Sequence, residues 1–548
     1  MRIALAQLNY IIGDFDLNTA KIIETIEKCK QQKADLVVFA ELSVCGYPPR
    51  DFLEFDDFIQ KSYHAIDTIA AHCTGIAAIV GAPSRNPDVK GKSLFNSAWL
   101  LADGKVQALA HKALLPTYDI FDEYRYFEPN RKFDCITYKG VKIALTICED
   151  IWNLVDDPLY ISNPMDILAE QAPDIMINIA ASPFTYLQQK TRLEILRANT
   201  SHYKIPLVYV NQVGAQTELL FDGNSCVLDS HGNLVADCLT FNEDICFADF
   251  DPANKKITSD VDCNKEIPSK TALIHGALVM GIRDYFAKMG FSKAILGLSG
   301  GIDSAVTLAL AAEALGNENV YAVLLPSEYS SDHSINDAIA LARNLDCKYD
   351  TIGISEGYNS LLESLHPYFK ELPFNVAEEN LQARVRGVLL MGLANKFGYI
   401  LLNTSNKSEA AVGYGTLYGD MCGGISVLGD VYKTEVYELA NYINRKHEII
   451  PMNSIVKPPS AELRPGQKDS DSLPEYDILD KILYNYIELR QSPADLVASG
   501  FDETMVKRVL RMVNINEWKR HQTPPILRVS PKAFGQGRRM PIVGRYLS

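Results

Sequence analysis

The stretch ILGLSGGIDSA, residues 295–305, sets an apolar run against two glycines and then against what reads as the start of a helix. That order brings backbone N–H groups up to an anion, as loops that hold phosphate do. Gly300 and Gly301 permit a turn closed to residues with a Cβ, and Ser299 and Ser304 offer hydroxyls. Asp303 falls in the first helical turn, where its carboxylate can hold Mg²⁺. The Lys of the G-x-x-x-x-G-K-[ST] pattern is absent, so the loop suits a pyrophosphate that no lysine needs to reach. A second set lies in the first half: Glu41 closes DLVVFAE, Lys112 follows KVQALAH, and Cys148 closes KIALTIC. A free thiol, with a pKa of about 8.5, is mostly protonated near neutrality. A neighbouring lysine would favour the thiolate and stabilise an oxyanion, while a carboxylate would take the thiol proton and later activate water. The chemistry this set suits is attack on an amide carbonyl, giving an acyl-enzyme and free ammonia.

Strands must bring such residues together. Through about residue 250 short apolar runs recur: ADLVVFAE (34–41), GIAAIVGAP (75–83), VKIALTICED (141–150), APDIMINIAAS (172–182) and IPLVYVNQVG (205–214). Runs of this kind suit a layered α/β domain, in which polar residues at strand ends converge on one crevice. DPANKKITSDVDCNKEIPSK (251–270) is polar and charged, and is expected to link a domain over 1–250 to another over 271–548. Beyond it the pattern predicts a helix over 271–290 stopped by Gly290, the strand KAILGLS, a helix over 305–316, a strand over 320–327 and a helix over 334–345. This alternation predicts a mostly parallel sheet with helices on both faces. The Pro-rich stretch KPPSAELRPGQKDSDSLPEYD (457–477) predicts a long loop of the kind that forms lids or binding segments.

The 548 residues exceed what one core organises, and 47% hydrophobic with 22% charged residues is ordinary for a globular chain. No uncharged apolar run approaches the roughly 18 residues of a membrane span. The N-terminus, MRIALAQLNYIIGDFD, alternates like a strand and has no small-residue cleavage site, so a cytoplasmic location is expected. Eleven cysteines contain no C-x-x-C, and the nearest two, Cys238 and Cys246, are eight apart. That spacing fits no zinc or disulfide pattern, and most of the cysteines are expected to be small buried side chains. A net charge of −15 argues against a broad nucleic-acid surface; anionic ligands must be gathered locally by amides, selected basic residues or a metal.

SGGIDS after an apolar strand resembles the pyrophosphate loop of the N-type ATP pyrophosphatases. PSEYSSDHSINDA (326–338), EENLQARVRG, LLNTSNKSEAAVGYGTLYGD (401–420), LGDVYKTEVYELA (428–440), EWKRHQTPP and AFGQGRRMPI are similar to successive signatures of NAD synthetases. The resemblance implies that Gly297, Leu298, Ser299, Gly300, Gly301, Ile302, Asp303, Ser304 and Thr404 meet ATP. It further implies that Asn380, Glu409 and Lys519 meet deamido-NAD, and that Asp303 and Glu409 hold Mg²⁺. In the first half FAELSVCGYPPRD, HKALLPTYDIFDEYRYF and TICEDIW resemble the nitrilase, or carbon–nitrogen hydrolase, superfamily, whose Glu-Lys-Cys triad maps onto Glu41, Lys112 and Cys148. The LPTYDIFDEYRYF and ASPF forms are similar to glutaminase domains of NAD synthetases, which implies that Tyr118, Ser182 and Lys190 hold glutamine. The implied fold is a nitrilase-like four-layer α-β-β-α sandwich followed by a Rossmann-like parallel sheet flanked by helices. The implied activity is glutamine-dependent amidation of AMP-activated deamido-NAD by a homo-oligomer. An enzyme that uses only free ammonia, with a structural first half, stays open as the alternative.

Overall fold

Residues of the strand Arg2–Gln7 alternate between two cores, and that alternation builds the first half. Ile3 and Leu5 join Leu36, Val38, Ile79 and Leu100 against Ile143, Leu145 and Ile177 of a second sheet. Ala4 and Ala6 face the other way, with Val37, Val80 and Leu101, onto Ile22, Ile26, Ile66 and Ile69 of the helices Phe15–Gln31 and Asp56–His72. The computed structural model describes residues 1–548 except 89, 155–156, 261–262, 264–266, 545 and 547–548, and divides into units Met1–Ile267 and Pro268–Ser548. In the first unit a seven-stranded sheet runs Lys256–Thr258, Asp244–Asp251, Arg2–Gln7, Leu36–Val38, Ala77–Arg85, Leu94–Ala102, Lys105–His111. A six-stranded sheet runs Leu234–Asp237, Cys226–Leu228, Leu207–Asn211, Ile175–Ala180, Val141–Ile147, Ile136–Tyr138. Met165, Leu168 and Leu196, from the helices Pro164–Ala169 and Gln188–Tyr203, join the core on the second sheet's side. The layers are therefore helix, sheet, sheet, helix.

The stretch expected as a linker is in part strand. Lys256–Thr258 pairs antiparallel with Asp249–Asp251, and Ile257, 3% exposed, is the apolar anchor that the surrounding charges concealed in the sequence. Residues 261–262 and 264–266 of that stretch lie outside the described residues. Ser269 then caps the helix Lys270–Met289 by accepting from the Ala272 N–H, and Gly290, with φ of 73°, ends it.

In the second unit five parallel strands run in the order Lys348–Thr351, Val320–Leu324, Ala294–Gly297, Ile400–Asn403, Ile425–Ser426. The chain enters at the middle strand, builds outward on one side, and returns to build on the other. The crevice outside the C-terminal ends of Ala294–Gly297 and Ile400–Asn403 is thus the topological switch point, where open α/β sheets bind ligands. The helices Ser355–Phe369 and Val376–Phe397 cover one face through Tyr358, Val385, Leu390 and Ala394. The helix Ile302–Leu315 starts three residues before the expected 305, which sets Asp303 in its first turn. Residues 457–475 are irregular apart from the short turn Asp469–Asp471, and the helix Tyr476–Ile487 follows. No helix among the described residues is long and apolar enough to cross a membrane.

A sealed ion cluster locks the end of this unit. Lys407, fully buried, donates from Nζ to Ser530 Oγ at 2.7 Å and the Lys532 carbonyl at 2.9 Å, pairs with Asp430 at 2.8 Å, and also meets Glu488. Removing one member of such a cluster strands the others without solvent, which costs about 3–5 kcal/mol. Lys407→Ala is therefore expected to lower the second unit's unfolding free energy by about that amount, read from denaturant titration, with the first unit's transition unmoved.

Candidate functional site

The first unit gathers Glu41, Lys112 and Cys148 at one end of its two sheets. Glu41 follows the strand Leu36–Val38 and is fully buried. Its Oε1 accepts from Asn96 Nδ2 at 2.6 Å and Lys112 Nζ at 2.7 Å, and its Oε2 from the Ala181 N–H at 2.9 Å. Gly81 makes this approach possible: a Cβ there would stand 2.2 Å from the Leu42 nitrogen and 2.7 Å from the Glu41 carbonyl carbon. Cys148 ends the strand Val141–Ile147 in the left-handed region, with φ of 44°, and opens the short turn Cys148–Ile151. Asp150 fastens that turn to the segment after Lys112. Its carboxylate accepts from the N–H groups of Ala113 and Leu114 at 2.9 Å and of Ile147 at 3.0 Å. Burial still pushes the Asp150 acid up to about 6.

Lys112 acts on Cys148 in the expected direction, and burial outweighs it. Burial drives the Cys148 thiol well above its ordinary range, Glu41 adds to the shift, and Lys112 only opposes it. Lys112 pulls toward the thiolate but is outweighed by burial, and its own charge is shared between two carboxylates. The second is Glu123, which no reading of the sequence singled out although it lies in the string HKALLPTYDIFDEYRYF. Its carboxylate accepts from Lys112 Nζ at 2.9 Å and from the Tyr47 hydroxyl at 2.9 Å, and burial raises it to about 7. Burial disfavours the Lys112 ammonium, but Glu123 and Glu41 outweigh that and hold it charged well beyond its ordinary range. A nucleophile with its proton still on, a carboxylate to take it, and a fixed cation for a developing oxyanion is a set suited to amide cleavage.

Around it, the half-exposed Tyr118 donates to Glu149 at 2.8 Å, which Tyr160 also reaches at 3.2 Å. Ser182 is buried, its N–H donating to Asn211 Oδ1 at 2.9 Å. Lys190 stands exposed in the first turn of Gln188–Tyr203. Among the described residues it makes no hydrogen bond or ion pair with Tyr118, Ser182 or Cys148. Its neighbour Gln188 instead reaches Ser182 Oγ at 3.5 Å. The structure thus brings five of the six predicted side chains into one region, with Lys190 exposed on the helix whose Gln188 reaches Ser182.

In the second unit the loop Gly297–Ser304 lines a cavity of about 310 Å³ at the switch point. Gly300, with φ of 79°, lets the loop touch the helix Asp332–Asn344: a Cβ there would stand 2.1 Å from the Ser334 carbonyl oxygen. Ser304 Oγ donates to the Gly301 carbonyl at 3.0 Å and lies 3.1 Å from Ser299 Oγ, so both hydroxyls are held at the turn. Thr404, just past the strand Ile400–Asn403, lines the same cavity. Asp303 accepts from Asn406 Nδ2 at 2.9 Å and pairs with Lys433, whose Nζ is 3.6 Å from Glu409. Burial, with Asp303 beside it, pushes Glu409 up to about 8. Lys433 and Asp469, which lie in marked strings but were not singled out, face the same cavity. Asn380 accepts from Thr416 Oγ1 at 2.6 Å, and Lys519 donates to the carbonyls of Gly413 at 2.9 Å and Gly415 at 3.0 Å. Both therefore brace the segment 413–420, whose Tyr414, Gly419 and Asp420 form cavity wall. The Pro-rich stretch forms another wall: Glu462 accepts from Ser334 Oγ at 2.8 Å, and Gln382 donates to the Leu463 carbonyl at 2.9 Å.

The family model for carbon-nitrogen hydrolases matches residues 2–256, and that for NAD synthase matches residues 274–523. A glutamine-dependent NAD(+) synthetase of Synechocystis sp. is 45% identical over 547 residues, covering 98% of this chain and 98% of that one. One from Acinetobacter baylyi is 43% identical, covering 99% and 98%. Among solved structures, a glutamine-dependent NAD+ synthetase from Acinetobacter baumannii in complex with ADP aligns with a TM-score of 0.79 and 40% identity, over 99% and 98% of the two chains.

Two expectations follow from the first cluster. Gly81→Ala should displace the Glu41 backbone and lower amide hydrolysis by on the order of a hundredfold, measured as ammonia release. Glu123 keeps its proton in the fold up to about pH 7 and would lose it near 4.5 in the unfolded chain. Its contribution thus favours the fold most below pH 4.5 and is lost as pH rises to about 7. In Glu123→Gln, which cannot titrate, stability relative to the parent should climb by up to about 3 kcal/mol across that window and then level, as read by denaturant midpoints.

Proposed function

We propose a two-site reaction from the premise that this chain belongs to the glutamine-dependent NAD(+) synthetase family. In the first unit Cys148 attacks the side-chain amide of glutamine while Glu41 takes the thiol proton and passes it to the departing nitrogen, which leaves as ammonia and returns Glu41 to its carboxylate form. Water, deprotonated at Glu41, then frees glutamate from the thioester. Two N–H groups of Lys112 are engaged by Glu41 and Glu123, which leaves the third for the carbonyl oxygen as it becomes anionic. Tyr118 and Ser182 hold the amino acid, and Lys190 would meet it only at its solvent end.

In the second unit the carboxylate of deamido-NAD attacks the α-phosphorus of ATP. The bond to the β-phosphate breaks, and pyrophosphate departs on the Gly297–Ser304 loop. Ammonia attacks the resulting acyl-adenylate, AMP leaves, and NAD forms. Thr404 meets the ATP; Asn380, Glu409 and Lys519 meet the dinucleotide. Asp303 and Glu409 are hard oxygen donors crowded by like charge and fit Mg²⁺, which would hold them while neutralising phosphate charge. The observation that carries this reading is the pairing, in one chain, of a buried Glu41–Lys112 ion pair beside Cys148 with a lysine-free phosphate loop flanked by Asp303 and Glu409.

Self-association of the second unit belongs to the same reading. Tyr368, Leu372, Phe374, Val388 and Phe397, on and between the helices Ser355–Phe369 and Val376–Phe397, are large apolar side chains left exposed. A cytoplasmic location, where ATP and glutamine are both at hand, completes it.

With Mg-ATP, glutamine and deamido-NAD, the protein should form NAD, AMP, pyrophosphate and glutamate in matched amounts. Cys148→Ala should cut the glutamine-supported rate by at least about a thousandfold and spare the ammonia-supported rate. Asp303→Asn should abolish both. ADP as product would refute the scheme, and a parent protein that makes NAD from ammonia but releases no glutamate from glutamine would assign the first unit a structural role.

A further inference from the structure

Eight of the eleven cysteines are buried, and two of these meet where the chain passes from one sheet of the first unit to the other. Cys238 directly follows Leu234–Asp237, the edge strand of the six-stranded sheet; Cys246 lies in Asp244–Asp251 of the seven-stranded sheet, opposite Leu5. Both belong to the core between the sheets, 2% and 6% exposed. The crossover between them, residues 238–243, turns the two thiols toward each other, and the Asp244 carboxylate joins them. The donor atoms of Cys238, Asp244 and Cys246 all lie within 4.8 Å of one another. Cys246 Sγ is 3.7 Å from Asp244 Oδ2 and 3.4 Å from the Asp237 carbonyl. Asp244 is partly exposed, so the trio has a dry side of sulfur and a wet side of oxygen.

We propose that Cys238, Asp244 and Cys246 form a binding site for a thiophilic divalent cation of the zinc type. Two thiolates and one carboxylate are a donor set that favours Zn²⁺ over the hard Mg²⁺ of the second unit. The Asp244 carboxylate is held beside the thiols by accepting from the Leu239 and Ile245 N–H groups, each at 2.9 Å. Binding breaks both S–H bonds, the two protons go to solvent, and the resulting anions share the cation with Asp244. With three protein donors and Asp244 partly exposed, water would complete the cation's coordination. A cation there clamps the crossover, whose Leu239 and Asn242 carbonyls already accept from Gln7 Nε2 at 2.6 and 2.8 Å. Spacing hid the site: the ligands are separated by a crossover between sheets instead of the short knuckle from which zinc motifs are read.

The test uses the full-length reduced chain, stripped of metal by chelator and titrated with Co²⁺ alone. One equivalent should raise thiolate-to-cobalt charge-transfer absorption with tetrahedral ligand-field bands, and Zn²⁺ should bleach it. Cys238→Ser and Cys246→Ser should each lose the charge-transfer absorption while keeping the ammonia-supported activity. Cys148→Ala should retain it in full. Absence of the absorption in the parent protein, its survival in Cys238→Ser, or its loss in Cys148→Ala would each overturn the assignment. Should the serine variants fail to fold, Asp244→Asn keeps both thiols and carries the test: cobalt affinity should fall at least about tenfold, and unchanged affinity overturns the site.

Discussion

Lys112 is buried with no exposed side-chain surface, and its ammonium sits between Glu41 at 2.7 Å and Glu123 at 2.8 Å. Such a charge is tolerated only because two carboxylates surround it, and they in turn need it. Everything at the first site inherits this constraint. Glu41 cannot rotate away without abandoning Lys112, Asn96 and the Ala181 N–H together. In the proposed reaction a base so fixed would be aimed before any substrate arrives, which is how preorganised sites avoid reorganisation. The ammonium opposes but does not overcome the effect of burial, which holds the Cys148 thiol well above its ordinary range. Burial thus makes proton transfer and bond formation interdependent, and a dry site does not hold a reactive thiolate in waiting.

The second unit uses the same motif twice, with opposite consequences. Lys407 pairs with Asp430 and Glu488, all three side chains sealed from solvent, and its three N–H groups are taken by Glu488, Ser530 and the Lys532 carbonyl. Nothing is left over to bind, and the cluster is a fastening. Lys433 bridges Asp303 and Glu409, but those carboxylates retain 17% exposure and open on the cavity. There the lysine stands where negative charge must be gathered in a chain of net charge −15. The difference between structure and chemistry in these clusters is whether the carboxylates can still see solvent.

What the sequence disclosed follows from chain distance. The turn from strand to helix at Gly297–Ser304 was legible because strand, glycines, serines and Asp303 are contiguous, so local geometry alone sets it. The Glu-Lys-Cys set was legible because each member closes an apolar strand, and strand ends in α/β sheets converge. Lys433 was not, since it meets Asp303 across 130 residues and sits in a helix that any solvated lysine could occupy. Glu123 was not, since EYR reads as an exposed acidic turn until Lys112 and Tyr47 close over it. The strand Lys256–Thr258 was concealed for a related reason: one apolar residue among charges carries no period, and only pairing to Asp249–Asp251 makes it a strand.

Asp150 is the residue through which fold and chemistry are most tightly joined. It contributes no atom to the proposed reaction, yet its carboxylate takes the Ala113 and Leu114 N–H groups with one oxygen and the Ile147 N–H with the other. Those three amides belong to the segment that follows Lys112 and to the last residue of the strand that presents Cys148. One side chain therefore fixes cation and nucleophile to a common frame, and does so from within the turn whose first residue has the unfavourable positive φ. A left-handed cysteine persists only where its surroundings over-determine it. The three hydrogen bonds of Asp150 supply that over-determination at the cost of a buried acid, so the strain in the turn and the placement of the nucleophile have a single physical cause.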